Sequence, residues 1–169
     1  MKGLSNLNYL ILSNNRIDFI ENNTFDEMPY LDRIYIDYNN LKSIDIQSIS
    51  LKLNRLILNN NFIQIQETNT FLKNTQKLKY LYLDNNALTR IEAKIFNNFQ
   101  SMIRMSFKNN SINLIEPNAF FNCIQLKILF ISFNKLEKIE SKTFNGLFNL
   151  LELTMYQNSL NLIENESQT

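Results

Sequence analysis

One short motif recurs through the whole chain at intervals of 22 to 25 residues. Its pattern is L-x-x-L-x-L-x-x-N-x-L, which in the first copy reads Leu7, Leu10, Leu12, Asn15 and Ile17. The seven copies begin at Leu7, Leu31, Leu53, Leu78, Met102, Leu126 and Leu150. A unit this short cannot bury its own apolar face, so a fixed period in this range indicates copies stacked on one another. The sequence therefore predicts a single repeat array over residues 1–169, with partial repeats at both ends.

The apolar residues of each copy alternate over the L-x-L stretch, as they do in a half-buried β-strand. Leu81 and Leu83 point to one face of such a strand, and the residue between them points to the other. Stacked copies would pair these strands in parallel and merge their leucines into a continuous core. The second half of most copies has apolar spacings of five and three, as in Ile115, Phe120 and Cys123, which favours an irregular or short-helical return segment.

An asparagine follows the strand at the same offset in every copy. The members of this column are Asn15, Asn39, Asn61, Asn86, Asn110, Asn134 and Asn158. An amide at this position can donate to and accept from backbone groups of its own and adjacent turns, so the column predicts a buried hydrogen-bonded ladder. Asparagine is also expected to make the turns, because glycine and proline each occur only twice and asparagine tolerates left-handed backbone.

Copies two and three depart from the pattern. Copy two is two residues short and has Ile49 where most copies have phenylalanine. Copy three is one residue longer and has Gln66 in a position that is otherwise aliphatic. We therefore expect the stack to be least regular around residues 45–77.

These columns resemble the consensus of the leucine-rich repeat family, and the resemblance covers essentially all 169 residues. The 24-residue form with F-x-x-L in its second half resembles the subtype common in extracellular receptors and secreted matrix proteins. The resemblance implies an α/β repeat fold: a curved, horseshoe-shaped solenoid with a parallel sheet on its concave face and irregular or short-helical convex segments. It also implies a protein–protein recognition module, although the family serves many unrelated recognition tasks.

Both ends of the chain fall within a repeat. Residues 1–7 superpose on residues 144–150, which places Met1 at a phenylalanine position. The chain ends shortly after Ile163 and Glu164, before the next phenylalanine is due. Neither end carries the cysteine-rich cap seen in extracellular relatives, so we expect an uncapped fragment of a longer array.

Composition argues against catalysis and metal chemistry. Histidine is absent and Cys123 is the only cysteine, which excludes Ser-His and Cys-His nucleophile pairs, an internal disulfide and a thiolate zinc site. We predict Cys123 to be a small buried hydrophobe. A column of acidic residues invites a calcium site, but we interpret it as a solvated edge of the return path: Glu21, Glu92, Glu116, Glu140 and Glu164. We therefore predict no enzyme activity, no metal and no cofactor.

Charge and hydropathy limit the partners. A net charge of +1 offers no basic excess to attract nucleic acid, and no apolar run reaches the 18 residues of a membrane span. We therefore expect a protein ligand, without nucleic acid binding or membrane insertion by this segment. The N-terminus lacks the apolar core of a signal peptide, so an extracellular or cell-surface location rests on the resemblance. Three N-x-S/T sequons are candidate glycosylation sites, although chance sequons are expected in so asparagine-rich a chain: Asn22, Asn109 and Asn165.

Outward strand positions line up into two columns on the predicted sheet. The first runs Tyr9, Arg33, Arg55, Tyr80, Arg104, Ile128 and Glu152. The second runs Ile11, Tyr35, Ile57, Tyr82, Ser106, Phe130 and Thr154. Tyrosine, phenylalanine and arginine are enriched at protein–protein hot spots, whereas the simpler interpretation is that aromatic and β-branched residues favour strands. The candidate protein-binding residues are Tyr9, Arg33, Tyr35, Arg55, Tyr80, Tyr82, Arg104 and Phe130.

Two functions are therefore compatible with the sequence. The first is a recognition module of an extracellular or cell-surface receptor or adhesion protein that binds a protein on its concave sheet. The alternative is a structural or scaffolding array, intracellular or matrix, without a dedicated ligand. A glycan on Asn109 would cover the middle of the predicted binding face, so this sequon bears on the choice of surface.

Overall fold

The computed structural model describes residues 3–44, 52–65, 76–93, 95–97 and 99–165. Within these ranges the chain forms short β-strands and turns. The strands are β1 Tyr9–Ile11, β2 Arg33–Tyr35, β3 Arg55–Ile57, β4 Tyr80–Tyr82, β5 Arg90–Ile91, β6 Arg104–Ser106, β7 Leu114–Ile115, β8 Ile128–Phe130, β9 Lys138–Ile139, β10 Glu152–Thr154 and β11 Leu162–Ile163.

Seven of these strands form one parallel sheet in the order β1-β2-β3-β4-β6-β8-β10. Each strand pairs with the equivalent strand of the next copy, so that Tyr9 lies opposite Arg33 and Tyr80 lies opposite Arg104. The chain therefore advances one sheet position per repeat, which confirms the predicted parallel-sheet solenoid. On the return side, β5 pairs with β7 and β9 pairs with β11, also in parallel.

The core lies between this sheet and the return segments. The central residues of the inner strands have no exposed surface, as Leu56, Leu81 and Met105 show. Phenylalanines of the return segments close the core from the other side, with 5.6 Å between the ring centroids of Phe96 and Phe120. The described copies thus bury an aliphatic side chain or methionine from each inner strand, and several add an aromatic ring from the return segment, as Phe25, Phe96 and Phe120 do.

The return segments contain no helix in the part of the chain that the structure describes, so the short-helical alternative is not found there. Their turns span three residues rather than the four of an α-helix, since Met28 N donates to Phe25 O and Leu31 N donates to Met28 O. Asn23 and Asn118 have φ angles of 66° and 63°, a left-handed conformation that interrupts any right-handed helix. The irregular form of the return segment is the one observed.

Ile49 and Gln66, the two departures from the repeat pattern, lie outside the described residues, as does Met1. Most of the region 45–77, where we expected the least regular stacking, is outside them too. The strands around this region nevertheless keep residue-for-residue pairing: Arg33 lies opposite Arg55, and Arg55 opposite Tyr80. The unequal lengths of copies two and three are therefore absorbed between the strands, not within the sheet.

A residue in left-handed conformation follows each strand of the large sheet. These residues have φ angles between 53° and 59° and directly precede the asparagine column: Asn14, Tyr38, Asn60, Asn85, Asn109, Phe133 and Gln157. Side chains other than those of asparagine and aspartate rarely adopt this conformation. It explains why so many copies contain two consecutive asparagines and why the chain needs so little glycine.

Gly146 marks a close approach of two return segments. Its φ angle is +93°, and a Cβ atom added there would lie 2.2 Å from the carbonyl oxygen of Phe121. Gly3 has a similar φ angle of +86° but no atom within 4 Å of such a Cβ. The two glycines share a backbone conformation and differ in the space around them.

We predict that Gly146→Ala lowers the free energy of unfolding by about 3 kcal/mol or more, because the left-handed penalty is added to overlap with rigid backbone. Gly3→Ala should cost only about 1–2 kcal/mol, since it carries the conformational penalty alone. Chemical denaturation followed by circular dichroism measures both. Equal losses for the two variants would show that the approach to Phe121 is not tight.

Candidate functional site

The outward side chains of the large sheet form one continuous surface, which we call the sheet face. Strand pairing places all of the candidate binding residues on it, because the first and last residues of each strand point to the same side. Tyr9 is 53% exposed, and the other candidates on β2 to β8 are half-buried by their neighbours. Strand pairing therefore brings the predicted residues together into a single stripe.

Arginine side chains of the sheet face lie against aromatic rings of neighbouring strands. The guanidinium carbon of Arg33 is 4.9 Å from the ring centroid of Tyr9, and that of Arg55 is 4.6 Å from the ring centroid of Tyr80. Such cation–π contacts contribute roughly 0.5–1 kcal/mol each at exposed sites. They restrict the guanidinium to a few orientations, while N–H groups at its edge remain able to bind carboxylates.

Arg104 makes the third such contact, with its guanidinium carbon 5.7 Å from the ring centroid of Phe130. The ammonium of Lys108 lies 4.0 Å from the same centroid. Phe130 therefore has two cations against it. Cross-strand packing of this kind accounts for part of the strand preference for aromatic residues, and it also presents the cations in fixed positions.

The two carboxylates nearest the arginine column have different surroundings. Asp32 accepts a hydrogen bond from Arg33 Nε at 3.1 Å, and this ion pair raises the pKa of the Arg33 guanidinium. Asp84 accepts hydrogen bonds from Ser106 Oγ at 2.5 Å and Lys108 N at 2.7 Å. Burial raises the pKa of Asp84 above its usual range, and the two hydrogen bonds oppose that shift. Arg33 is thus paired with a carboxylate, whereas Asp84 binds a hydroxyl and a backbone N–H of the next copy.

A third outward column was missed by the sequence analysis. It lies two residues beyond the strand ends and includes Asp84, Lys108 and Tyr156. The ring of Tyr156 packs edge to face against Phe133 of the preceding copy at 5.1 Å between centroids, and both rings remain substantially exposed. The constant spacing of the column after each strand is the signal that could have identified it, since each member lies two residues beyond a strand end.

The candidate glycosylation sites differ in their setting. Asn109 is exposed beside the sheet face, and its side-chain Nδ2 donates to Asn85 Oδ1 of the preceding copy. Asn22 is exposed on a return segment. Asn165 is exposed, but the remaining residues of its sequon lie outside the described residues. The use of these sequons stays a prediction.

The residues weighed for metal or redox chemistry have structural partners. Glu116 pairs with Arg90 at 3.5 Å and accepts a hydrogen bond from Ala93 N, and Glu140 pairs with Lys138 at 2.6 Å. No group of three or more potential metal ligands occurs among the described residues. Cys123 is fully buried, and burial raises the pKa of its thiol to about 12, which keeps it protonated. Within the described ranges, no helix is long and apolar enough to cross a membrane.

The asparagine column holds the strand ends that frame the sheet face. Asn134 Oδ1 accepts from Ile112 N of the preceding copy at 2.9 Å, and its Nδ2 lies 2.9 Å from Phe107 O of that copy. The same Nδ2 also donates to Ile131 O of its own copy at 3.0 Å. Equivalent bridges from one copy to the preceding one are made by Asn39, Asn61, Asn86, Asn110 and Asn158.

We predict that Asn134→Ala lowers the free energy of unfolding by about 2 kcal/mol or more, because it leaves the buried N–H of Ile112 without its acceptor and removes one of the two hydrogen bonds that Phe107 O and Ile131 O each accept. Asn15 is the matched control, since its Nδ2 bonds only to carbonyls of its own copy and the residue is exposed. Asn15→Ala should cost less than about 1 kcal/mol. Urea denaturation compares the two variants, and equal losses would refute a bridging role for the column.

Each repeat contributes one strand to a parallel sheet, and asparagines bridge each repeat to the preceding one. This arrangement defines a solenoid repeat protein with one continuous sheet face. A family profile described as "Leucine rich repeat" matches residues 1–41 and 76–136, more than half of the chain. The chain therefore belongs to the leucine-rich repeat family. The assignment to the 24-residue extracellular subtype stays a prediction.

Several solved structures share this fold. The leucine-rich repeat domain of APL1B has a TM-score of 0.73 and 20% identity, over 89% of this chain and 44% of that one. The functional domain of InlJ from Listeria monocytogenes has a TM-score of 0.69 and 17% identity, over 90% of this chain and 30% of that one. A TLR13–ssRNA13 complex has a TM-score of 0.67 and 21% identity, over 90% of this chain and 25% of that one.

This chain spans less than half the length of each of these proteins. At such identities the likeness shows the fold alone. A search of curated protein sequences finds no match.

Proposed function

We propose that this chain is a recognition module that binds a protein ligand on its sheet face. Leucine-rich repeat domains are typically protein-binding modules rather than enzymes. The observation that carries the proposal is the stripe of arginine and aromatic residues on this face, in which each cation is stacked on a ring of a neighbouring strand. These residue types dominate the binding energy of protein interfaces.

The geometry of the sheet suits this role. Parallel strands lie about 4.8 Å apart, so the seven strands extend over about 30 Å, the scale of an ordinary protein–protein contact. Side chains on a hydrogen-bonded sheet lose little further freedom on binding, because stacking and register already restrict them. The proposed binding residues are Tyr9, Arg33, Tyr35, Arg55, Tyr80, Tyr82, Arg104 and Phe130.

We further propose that the chain is part of an extracellular or cell-surface receptor or adhesion protein. The repeat form supports this, because it resembles the subtype common in extracellular receptors. For this chain a protein ligand is favoured over RNA, because arginines of the stripe already lie against its rings and leave fewer open faces for bases. Surface biotinylation of intact cells tests the location. Labelling is expected, and recovery of the protein solely from the cytoplasm would contradict it.

We predict that the double variant Tyr80→Ala, Tyr82→Ala weakens ligand binding about tenfold or more, because it removes two half-buried rings from the middle of the stripe. Ligands are first selected on the wild-type protein from a displayed library of folded domains and peptides. Isothermal titration then measures their affinity for each variant, and thermal unfolding verifies that the variant is folded.

The matched control removes two aromatic rings elsewhere. Phe19 and Phe62 are 66% and 57% exposed and lie after the asparagine column, outside the sheet face. Phe19→Ala with Phe62→Ala should leave the affinity within about twofold. If the tyrosine variant is folded and binds every selected ligand as tightly as the wild type, the stripe packs the sheet only. The proposed binding site on the sheet face would then be wrong. A selection that yields no ligand at all would favour the scaffolding alternative.

A further inference from the structure

We propose that the sheet face binds an acidic, extended segment of its protein partner, with Arg55 and Arg104 each receiving one carboxylate. This inference rests on the proposed function and adds the chemical class of the ligand. Three observations carry it: the distribution of charge over β3, β4, β6 and β8, the absence of ion pairs to those cations among the described residues, and the register that fixes the distance between the two arginines.

Part of the sheet face is cationic, although the net charge of the whole chain is only +1. Positions from the residue before each of β3, β4, β6 and β8 to the second residue after it carry five cations and one carboxylate over residues 54–59, 79–84, 103–108 and 127–132. The same positions of the neighbouring strand β2, residues 32–37, carry one cation and two carboxylates. The cations are Arg55, Lys79, Arg104, Lys108 and Lys127, and the carboxylate is Asp84. All five cations are exposed or half-buried. The middle of the sheet face therefore attracts anions, although the whole chain is nearly neutral.

The described residues leave these cations without ion-pair partners. The described carboxylates that lie within 4.0 Å of a cation pair with other residues: Asp32 pairs with Arg33, Glu116 with Arg90 and Glu140 with Lys138. Asp84 accepts hydrogen bonds from Ser106 Oγ and the Lys108 backbone and also interacts electrostatically with Lys108, so it offsets one of the five positive charges. Elsewhere in the described chain cations do pair, so the inner sheet face differs from its surroundings.

Apart from the cation–π contacts of Arg55 and Arg104, the sheet gains little from the charge of these arginines. Arg55 lies directly opposite Arg33 in the sheet, and like charges in register destabilise strand pairing. The Nε atom of Arg55 is buried and has no hydrogen-bond partner among the described residues, which is uncommon for a buried donor. A carboxylate bound to the exposed part of this guanidinium would offset the repulsion.

Register sets the spacing that a ligand must match. Arg55 and Arg104 flank Tyr80 on the two sides, so they are two strand positions, or about 10 Å, apart. A polyproline II segment has three residues per turn and rises about 3.1 Å per residue, so residues i and i+3 point to the same side about 9 Å apart. The sheet face therefore fits an extended segment of this conformation that crosses the strands with acidic residues at positions i and i+3.

Single-stranded nucleic acid is the other anionic ligand to consider. Its binding relies on bases stacked on open aromatic faces. Arg55 already covers a face of Tyr80, and Arg104 and Lys108 both lie against Phe130. These rings are engaged with cations, whereas the edges of the guanidinium groups favour carboxylates in bidentate geometry. A protein segment is the partner that these contacts favour.

The test is selection of a displayed random decapeptide library on the full chain, with the variant Arg55→Gln, Arg104→Gln as the second bait. Peptides from the wild-type selection should be enriched in Asp or Glu at a spacing of three, and the variant should not enrich them. A fluorescein-labelled peptide of the selected sequence should bind the variant at least about tenfold more weakly than the wild type in an anisotropy titration. Replacing its two acidic residues by Asn and Gln should abolish binding.

The control variant Arg16→Gln, Lys135→Gln removes the same charge from exposed positions after the asparagine column. It should change the affinity less than about twofold, because steering by net charge alone is weak and screened by salt. Arg55→Lys with Arg104→Lys keeps the charge and should still lose most of the affinity, since lysine cannot form bidentate contacts. Circular dichroism and thermal unfolding of every variant verify that it is folded.

Two further outcomes separate this inference from the proposed function. Selected ligands that need Tyr80 and Tyr82 but carry no acidic pair would overturn the acidic class and leave the recognition role intact. A wild-type selection that yields no binder dependent on the sheet face would overturn both. Tighter binding of a labelled decauridylate than of any selected peptide, lost in the glutamine variant, would identify the cationic face as a nucleic acid site and refute the protein segment.

Discussion

The asparagine bridge between successive copies is the interaction on which the rest of this structure depends. Its amide accepts one backbone N–H from the preceding copy and donates to a carbonyl of that copy, so a single side chain satisfies buried groups on both sides. A 24-residue unit has too small a core to be stable alone. The leucines supply the apolar burial, but the bridge fixes how far each copy is displaced from the last.

Because each copy is displaced from the preceding one by one strand position, the sequence period produces a continuous surface. Because the strands pair residue for residue even across the copies of unequal length, the outward residues fall into straight columns. Arginine and aromatic residues from different copies then meet at cation–π distance, as Arg55 and Tyr80 do. The same register places Arg55 and Arg104 two strands apart. The proposed ligand class therefore depends on the stacking, not on any single copy.

The strands, the parallel sheet and the outward columns could be predicted because each follows from a local period and from backbone geometry. The left-handed turns were predictable for Asn14 or Asn85 but not for Tyr38 and Phe133, where the repeat register overrides residue preference. Turn type in the return segments depends on hydrogen bonds that the apolar spacing does not specify. Other features depend on how side chains of neighbouring copies are oriented, which the pattern of one copy does not determine. They are the Arg–aromatic contacts, the lack of a hydrogen-bond partner for Arg55 Nε among the described residues, and the hydrogen bonds of Asp84.

Hydrogen exchange at the bridged amides measures whether the asparagine bridges hold the copies together. Leu41, Ile63, Leu88, Ile112 and Leu136 each donate a backbone N–H to an asparagine Oδ1 of the next copy. If the bridges hold the copies together, these amides should be protected to within about tenfold of sheet amides such as Leu83 N, which bonds to Ser106 O. Exchange at the rate of unbonded surface amides, with the sheet still protected, would contradict the account.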